Sequence, residues 1–259
     1  MPQADEIELP AHMQGGFALL AEALNRYPIP EAMLGGGTVL AALWDHRDST
    51  DLDFALPRSV VESLPVGTPA KFAGFAEREL GAKIRRVGEK LDEDAWLVAG
   101  DLPDGMPFSL HCLSFEEHTT GPPIRPTGTP SQSLNDIMRG KVAGRAVIAH
   151  LLTGTSHDTP PIRDVYDFAI CAHVEPDALL RVLNCMSDEF RVMAAKAYLD
   201  APPDLYKRDR KPIINPRFDI PMHGLPQTVG QAILEVNLHT IPDTRRIEYD
   251  DSPSPSAGS

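Results

Sequence analysis

Residues 33–56, MLGGGTVLAALWDHRDSTDLDFAL, constrain the fold of this chain more than any other stretch. Three consecutive glycines, Gly35, Gly36 and Gly37, mark a turn, and the apolar run over residues 38–44 reads as a short helix. Beyond it, Asp51 and Asp53 alternate with Leu52 and Phe54. A strand sends successive side chains to opposite faces, so the spacing predicts a strand with both acids on one face, a few ångströms apart. Two like charges that close favour a cation beside them. Magnesium suits the pair, because it takes hard oxygen ligands from one or two carboxylates and fills its octahedron with water and substrate phosphate. Side-chain-free glycines let a polyphosphate approach backbone N–H groups, and Thr38 adds a hydroxyl where the helix begins. Asp51 and Asp53 are therefore candidate metal ligands and catalytic residues, and Gly36, Gly37 and Thr38 candidate nucleotide-binding residues. The plainer alternative is a turn followed by an exposed strand whose acids keep it soluble.

Punctuation and period organise the rest. Residues 17–27 carry an apolar helical stripe that ends before Pro28 and Pro30. Residues 71–80 read as a helix, and residues 83–87, 95–98 and 108–113 as strands. Together these predict an α/β (α+β) fold in which residues 1–120 form a small mixed sheet with helices packed against it. Residues 119–133, TTGPPIRPTGTPSQS, lack periodicity and read as a linker between lobes. Residues 134–152, 165–173, 177–183 and 187–199 read as helices, so a mainly helical C-terminal lobe is expected over residues 134–249. The last ten residues, DDSPSPSAGS, have the composition of a disordered tail.

Composition excludes more than it names. A chain of 259 residues with 42% hydrophobic residues can bury a real core. Cys112, Cys171 and Cys185 are odd in number and lack C-x-x-C spacing, so neither a disulfide framework nor a zinc site is indicated. The amino terminus has no apolar h-region, and no stretch approaches a membrane span, so a soluble, cytoplasmic protein is expected. The net charge of −13 argues against a broad electrostatic grip on nucleic acid. Lys207, Arg208, Arg210, Lys211 and Arg217 nevertheless cluster, as a docking face for RNA or as a solvated loop. His46, His111 and His150 have no metal-ligand spacing and read as ordinary surface or core histidines.

Three strings in order resemble the AbiEii/AbiGii-type nucleotidyltransferase toxins, a branch of the DNA polymerase β-like nucleotidyltransferase superfamily. Gly36-Gly37-Thr38-Val39-Leu40, with His46-Arg47-Asp48-Ser49-Thr50-Asp51-Leu52-Asp53-Phe54, looks like the first signature of that family. Lys141-Val142-Ala143-Gly144-Arg145 resembles its Lys-x-x-Ala-x-x-x-Arg helix, with the arginine arriving early. Arg163-Asp164-Val165-Tyr166-Asp167-Phe168 matches its Arg-Asp-x-x-Asp motif.

The resemblance implies roles. Lys141 and Arg145 would hold the triphosphate tail, Arg47 and Ser49 would contact phosphates, and Asp164 would accept the acceptor's proton or brace Lys141. Asp167 would orient a neighbouring cation or support its helix, and Arg163 would support a carboxylate. A helix-dipole role for Asp164 and Asp167, and a polar helix surface for Lys141 and Arg145, are the competing readings. Polymerase-β-like enzymes often carry a third carboxylate on a neighbouring strand, where this chain offers Ser109 and His111.

The implied activity is magnesium-dependent nucleotidyl transfer from a nucleoside triphosphate to an acceptor hydroxyl. The family's biology implies a bacterial toxin-antitoxin or phage-defence role, with tRNA as an acceptor and a cognate antitoxin as a partner. Two rivals share the core: an enzyme modifying an antibiotic or metabolite, which suits the acidic surface, and a catalytically silent nucleotide-binding module.

Overall fold

The computed structural model describes residues 6–88, 97–113, 118–144, 159–209 and 212–247. Its first helix, α1 (Ala11–Arg26), buries Met13, Phe17, Leu20 and Leu24. Those positions recur every three or four residues and make one apolar face. Phe17 stacks on Phe54 of the sheet, ring centroids 6.0 Å apart. The helix begins six residues before the stripe read from sequence, because its first turns contain Gly15 and Gly16. Gly16 permits a close approach: a Cβ there would lie 2.7 Å from Met106 Sδ.

β1 (Met33–Leu34), α2 (Gly36–Trp44) and β2 (Leu52–Leu56) follow. Then come α3 (Arg58–Ser63) and α4 (Thr68–Phe75), which runs on into a wider π-helical turn, Ala76–Leu80. β3 (Lys83–Gly88), β4 (Leu97–Asp101), β5 (Pro107–Cys112), β6 (Thr120–Ile124) and β7 (Thr129–Gln132) complete a seven-stranded sheet of order β3-β4-β5-β2-β1-β7-β6. The sheet is mixed: β2 runs parallel to β5 and β1 to β7, whereas the other neighbours are antiparallel.

Register explains which face is buried. Leu52 pairs with Phe108 and Phe54 with Leu110, and all four belong to the main core. Asp53 pairs with Ser109 and Ala55 with His111 on the other face. The alternation seen in the sequence is thus the alternation of the sheet.

Residues 119–133 differ from the linker expected of them. They hold the hairpin β6–β7, and β7 pairs with β1 at Leu34 and Ser131. The sheet therefore extends beyond residue 120. Proline suppressed the strand signal, yet β6, which carries Pro122 and Pro123, is an edge strand, where a missing N–H costs no internal ladder bond.

The remaining elements are mainly helical, as expected. α5 (Leu134–Arg139) is capped by Ser133, whose side chain accepts from the Asp136 N–H, and it continues as a π-helical turn, Gly140–Gly144. α6 (Ile162–Val174) starts directly after Pro161, and α7 (Pro176–Cys185), α8 (Asp188–Leu199), α9 (Leu205–Arg208) and α10 (Leu225–Glu235) follow. A small antiparallel pair, β8 (Phe218–Asp219) with β9 (Arg245–Arg246), accompanies them. The part of the predicted helix beyond residue 144, and the tail over residues 250–259, lie outside the described residues. Among the described residues no helix is long and apolar enough to cross a membrane.

Candidate active site

The junction of β1 with α2 sits against the middle of β2. Gly35 N–H donates to the Asp53 carbonyl at 2.8 Å. Gly36 has φ +65°, a conformation that glycine adopts without a Cβ penalty, and a Cβ on it would lie 3.1 Å from Asp53 Oδ2. The turn and the acid are therefore neighbours.

Both acids line one cavity of about 410 Å³, with Arg47, Ser109 and Arg163 around them. Ser109 Oγ–H donates to Asp53 Oδ1 at 2.7 Å. Arg163 Nη1 donates to Asp51 Oδ2 at 3.3 Å. Burial alone would lower the Arg163 guanidinium pKa, but Asp51 and Asp164 beside it raise it above its ordinary value. Among the described residues no group of three or more His, Cys, Asp or Glu side chains could hold a metal ion. The donor set is two carboxylates on one strand face, which fits magnesium and lacks the ligands for a closed zinc site.

Behind the cavity lies a buried charge network. Asp167, on α6, is fully buried and accepts Arg47 in bidentate fashion, Nε to Oδ1 at 2.7 Å and Nη2 to Oδ2 at 2.8 Å. His46 Nε2–H donates to the same Oδ1 at 2.7 Å, and Lys141 Nζ lies 2.8 Å from Oδ2. Lys141 also pairs with Asp164 at 2.7 Å. Burial pushes the Asp167 carboxyl up, but Lys141 and Arg47 outweigh it and hold the group well below the usual carboxylate range. Burial pushes Lys141 and Arg47 down, and the surrounding carboxylates outweigh it in turn, so both end above their ordinary values. His46 goes the other way: burial is the largest influence and lowers its pKa despite Asp167. Its Nδ1 is buried without a partner among the described residues, so a second proton there would find none of them to bond.

The candidates from sequence thus divide. Asp51, Asp53 and Arg47 meet at the cavity, and Arg163 supports Asp51. Lys141 and Asp164 pair with each other one layer behind, at side-chain exposures of 10% and 15%. Thr38 and Ser49 are buried and bonded to one another at 2.9 Å, and Thr38 Oγ1 also donates to the Asp51 carbonyl. Gly37 makes room for the arginine, since a Cβ there would lie 2.4 Å from Arg47 Nη2. Arg145 lies outside the described residues, as do His150, Arg210 and Lys211. His46 is a core histidine, as expected.

Sequence reasoning missed a strap. Residues 212–217 run along the loop between α2 and β2: Asp48 N–H donates to the Ile214 carbonyl at 2.9 Å, and Arg217 N–H to the His46 carbonyl at 2.8 Å. Asp48 accepts Arg217 Nη2 at 2.8 Å and Asn215 Nδ2 at 2.6 Å. Burial would raise the Asp48 carboxyl, but these hydrogen bonds lower it. Arg217, of the basic cluster read as an RNA docking face or a solvated loop, pairs with Asp45 and Asp48, and Arg208 with Asp204. Pro212 and Ile214 of the strap line the cavity.

No family model matches the chain, and no curated protein is similar to it in sequence. The AbiEii/AbiGii resemblance accordingly rests on its motifs alone. Two solved structures from Helicobacter pylori are similar. JHP933 is 15% identical with a TM-score of 0.45, covering 88% of this chain and 94% of that one. A candidate nucleotidyltransferase is 16% identical with a TM-score of 0.43, covering 85% of this chain and 96% of that one.

Proposed function

We propose that the chain is a magnesium-dependent nucleotidyltransferase. One observation carries the reading: Asp51 and Asp53 open into a single cavity directly beside the Gly36 turn, with Arg47 and Arg163 on the same wall. Asp51 and Asp53 would hold the ion, which supplies orientation of the triphosphate and offsets charge developing at the transferring phosphorus.

The chain's own groups do the rest. Ser109 fixes Asp53 by its hydrogen bond, and Arg163 fixes Asp51. Arg47, locked by Asp167, presents fixed positive charge to the phosphates, so little reorganisation is needed as the bond to pyrophosphate breaks. Lys141 and Asp164 act as positioning residues behind Arg47 and Arg163. The acceptor oxygen attacks the α-phosphorus as its bond to the bridging oxygen of pyrophosphate breaks, the acceptor's proton passes to solvent water, and pyrophosphate departs.

A toxin acting on tRNA, with a cognate antitoxin, is the finer reading that the motif resemblance supports. A small hydroxylated acceptor is the second, and the net charge of −13 favours it, because a grip on RNA rests on Lys and Arg contacts to phosphates. Purified protein incubated with labelled nucleoside triphosphates, magnesium and total bacterial RNA decides between them, beside an Asp53→Ala control. Label in RNA from the wild-type chain alone supports the tRNA reading. Label in small hydroxylated compounds alone supports the second. Label that the Asp53→Ala protein also produces overturns both.

A further inference from the structure

Strand β3 is the edge of the sheet, and its pairing with β4 slips between Ile84 and Arg86. Ile84 pairs with Gly100 and Arg86 with Ala99, which leaves Arg85 as the extra residue of a bulge. Bulges re-aim side chains. Here the re-aimed side chain lines the cavity that holds Asp51 and Asp53.

Position along the sheet sets the distance. Asp53 on β2 pairs with Ser109 on β5, Ser109 with Ala99 on β4, and Ala99 with Arg86 on β3. Neighbouring strands lie 4.7–4.9 Å apart, so the row from Asp53 to the bulge spans about 14 Å. An extended nucleoside triphosphate has a length of that order. With its phosphates at Asp51, Asp53 and Arg47, its base reaches the β3 edge.

The cavity is not charged throughout. It is also lined by Ala99 on β4, Pro107 on β5 and, from the strap, Pro212 and Ile214. Ile214 is a large apolar side chain left 38% exposed at the cavity, which suits a flat apolar partner and not a phosphate. Arg85 lines the same cavity, and its guanidinium has two partners: Nη2 donates to the Gly100 carbonyl at 3.3 Å, and Nε lies 3.4 Å from Asp101. A planar guanidinium and several aliphatic groups lining one cavity suit an aromatic ring.

We infer that Arg85 stacks on the nucleobase of the bound triphosphate, and that Ala99, Pro107, Pro212 and Ile214 complete the base subsite. This rests on the nucleotide reading above and adds the residue that distinguishes a nucleotide from a bare polyphosphate. Stacking accepts every base, because each has a π face.

The test is equilibrium binding by calorimetry with magnesium, using ATP, GTP, CTP and UTP in turn and inorganic tripolyphosphate as the base-free probe. Arg85→Ala is expected to weaken the nucleotides by about tenfold, or 1.4 kcal/mol, and to leave tripolyphosphate unchanged. Arg85→Lys keeps the charge without the plane and is expected to lose most of the same affinity. Ile214→Ser, in the lining of the same cavity, is expected to move in the same direction. Equal weakening of nucleotide and tripolyphosphate by Arg85→Ala would make Arg85 a phosphate contact and overturn the inference, as would no change in either. A wild-type chain that binds neither probe overturns the nucleotide reading and the subsite with it.

Discussion

Replacing Asp167 by asparagine keeps the shape of the side chain and removes its charge, leaving Arg47 and Lys141 facing each other in a buried space. Both cations owe much of their solvation to this carboxylate, which touches them at 2.7–2.8 Å while itself fully buried. Removing one partner of a buried ion pair costs about 3–5 kcal/mol. That is a large part of the 5–15 kcal/mol by which domains are typically stable. At roughly 2–4 °C per kcal/mol for a chain of this size, Tm is expected to fall by about 6–20 °C. Urea unfolding followed by circular dichroism gives the free energy directly. The exposed pair Arg208–Asp204 is the reference, and Arg208→Ala is expected to cost less than about 1 kcal/mol. A second variant separates charge from packing: adding Arg47→Met and Lys141→Met to Asp167→Asn removes the stranded cations and is expected to recover more than half of the loss. The pH dependence follows from the same contact. The folded carboxyl titrates well below the unfolded value of about 3.9, so its stabilisation is complete above that value and is lost as pH falls towards the folded one. The asparagine variant is expected to lack that acid limb. A loss under about 1 kcal/mol, or an unchanged acid limb, would refute the claim that the Asp167 carboxylate is the main counter-ion of this network.

Three further outcomes follow from contacts around the same loop. His46 has a folded pKa below its ordinary 6.5, so the unfolded chain takes up a proton that the folded chain refuses. Stability is therefore expected to decline as pH drops below about 6.5, and His46→Gln to flatten that part of a urea-midpoint profile. Gly37→Ala puts a methyl group 2.4 Å from Arg47 Nη2 and must displace the guanidinium. A cost of about 1–3 kcal/mol is expected, with weaker triphosphate binding, measured by unfolding and calorimetry on the same sample. Ser109→Ala removes the hydroxyl 2.7 Å from Asp53 Oδ1. Turnover is expected to fall about 10- to 150-fold, matching a charge-assisted hydrogen bond of roughly 1.5–3 kcal/mol, while substrate affinity changes less.

How much of this was written locally in the chain depends on the range of each interaction. Asp51 and Asp53 share a face because strand periodicity is a property of the backbone, and that is legible in four residues. The turn was legible for a similar reason, since only glycine takes φ +65° freely at position 36. The hairpin of residues 119–133 was not, because proline opposes a strand only where its absent N–H would have paired, and edge position is set by the whole sheet. The start of α1 was obscured in the same way: Gly15 and Gly16 weaken a helix in isolation, while Gly16 packs against Met106.

The site itself shows the same division more sharply. Arg47 and Asp167 are 120 residues apart in sequence and 2.7 Å apart in the fold. Read alone, an arginine in a polar loop looks solvated and an aspartate in the first turns of a helix looks like a dipole partner. Only their meeting turns the arginine into a fixed charge at a cavity wall. The strap adds a second long-range dependence, because Asn215 and Arg217 hold Asp48, the residue next to Arg47, from 167 and 169 positions away. The loop of residues 45–49 is consequently held from two sides, by α6 through Asp167 and by the strap through Asp48. A loop pinned in this way fixes where Arg47 and Asp51 stand relative to one another. Fixed charge at the reacting phosphate is what electrostatic catalysis requires. The cost of burying Arg47 and Asp167 then has a reason: well-packed apolar side chains could hold the loop as firmly, but they could not place an arginine at the cavity.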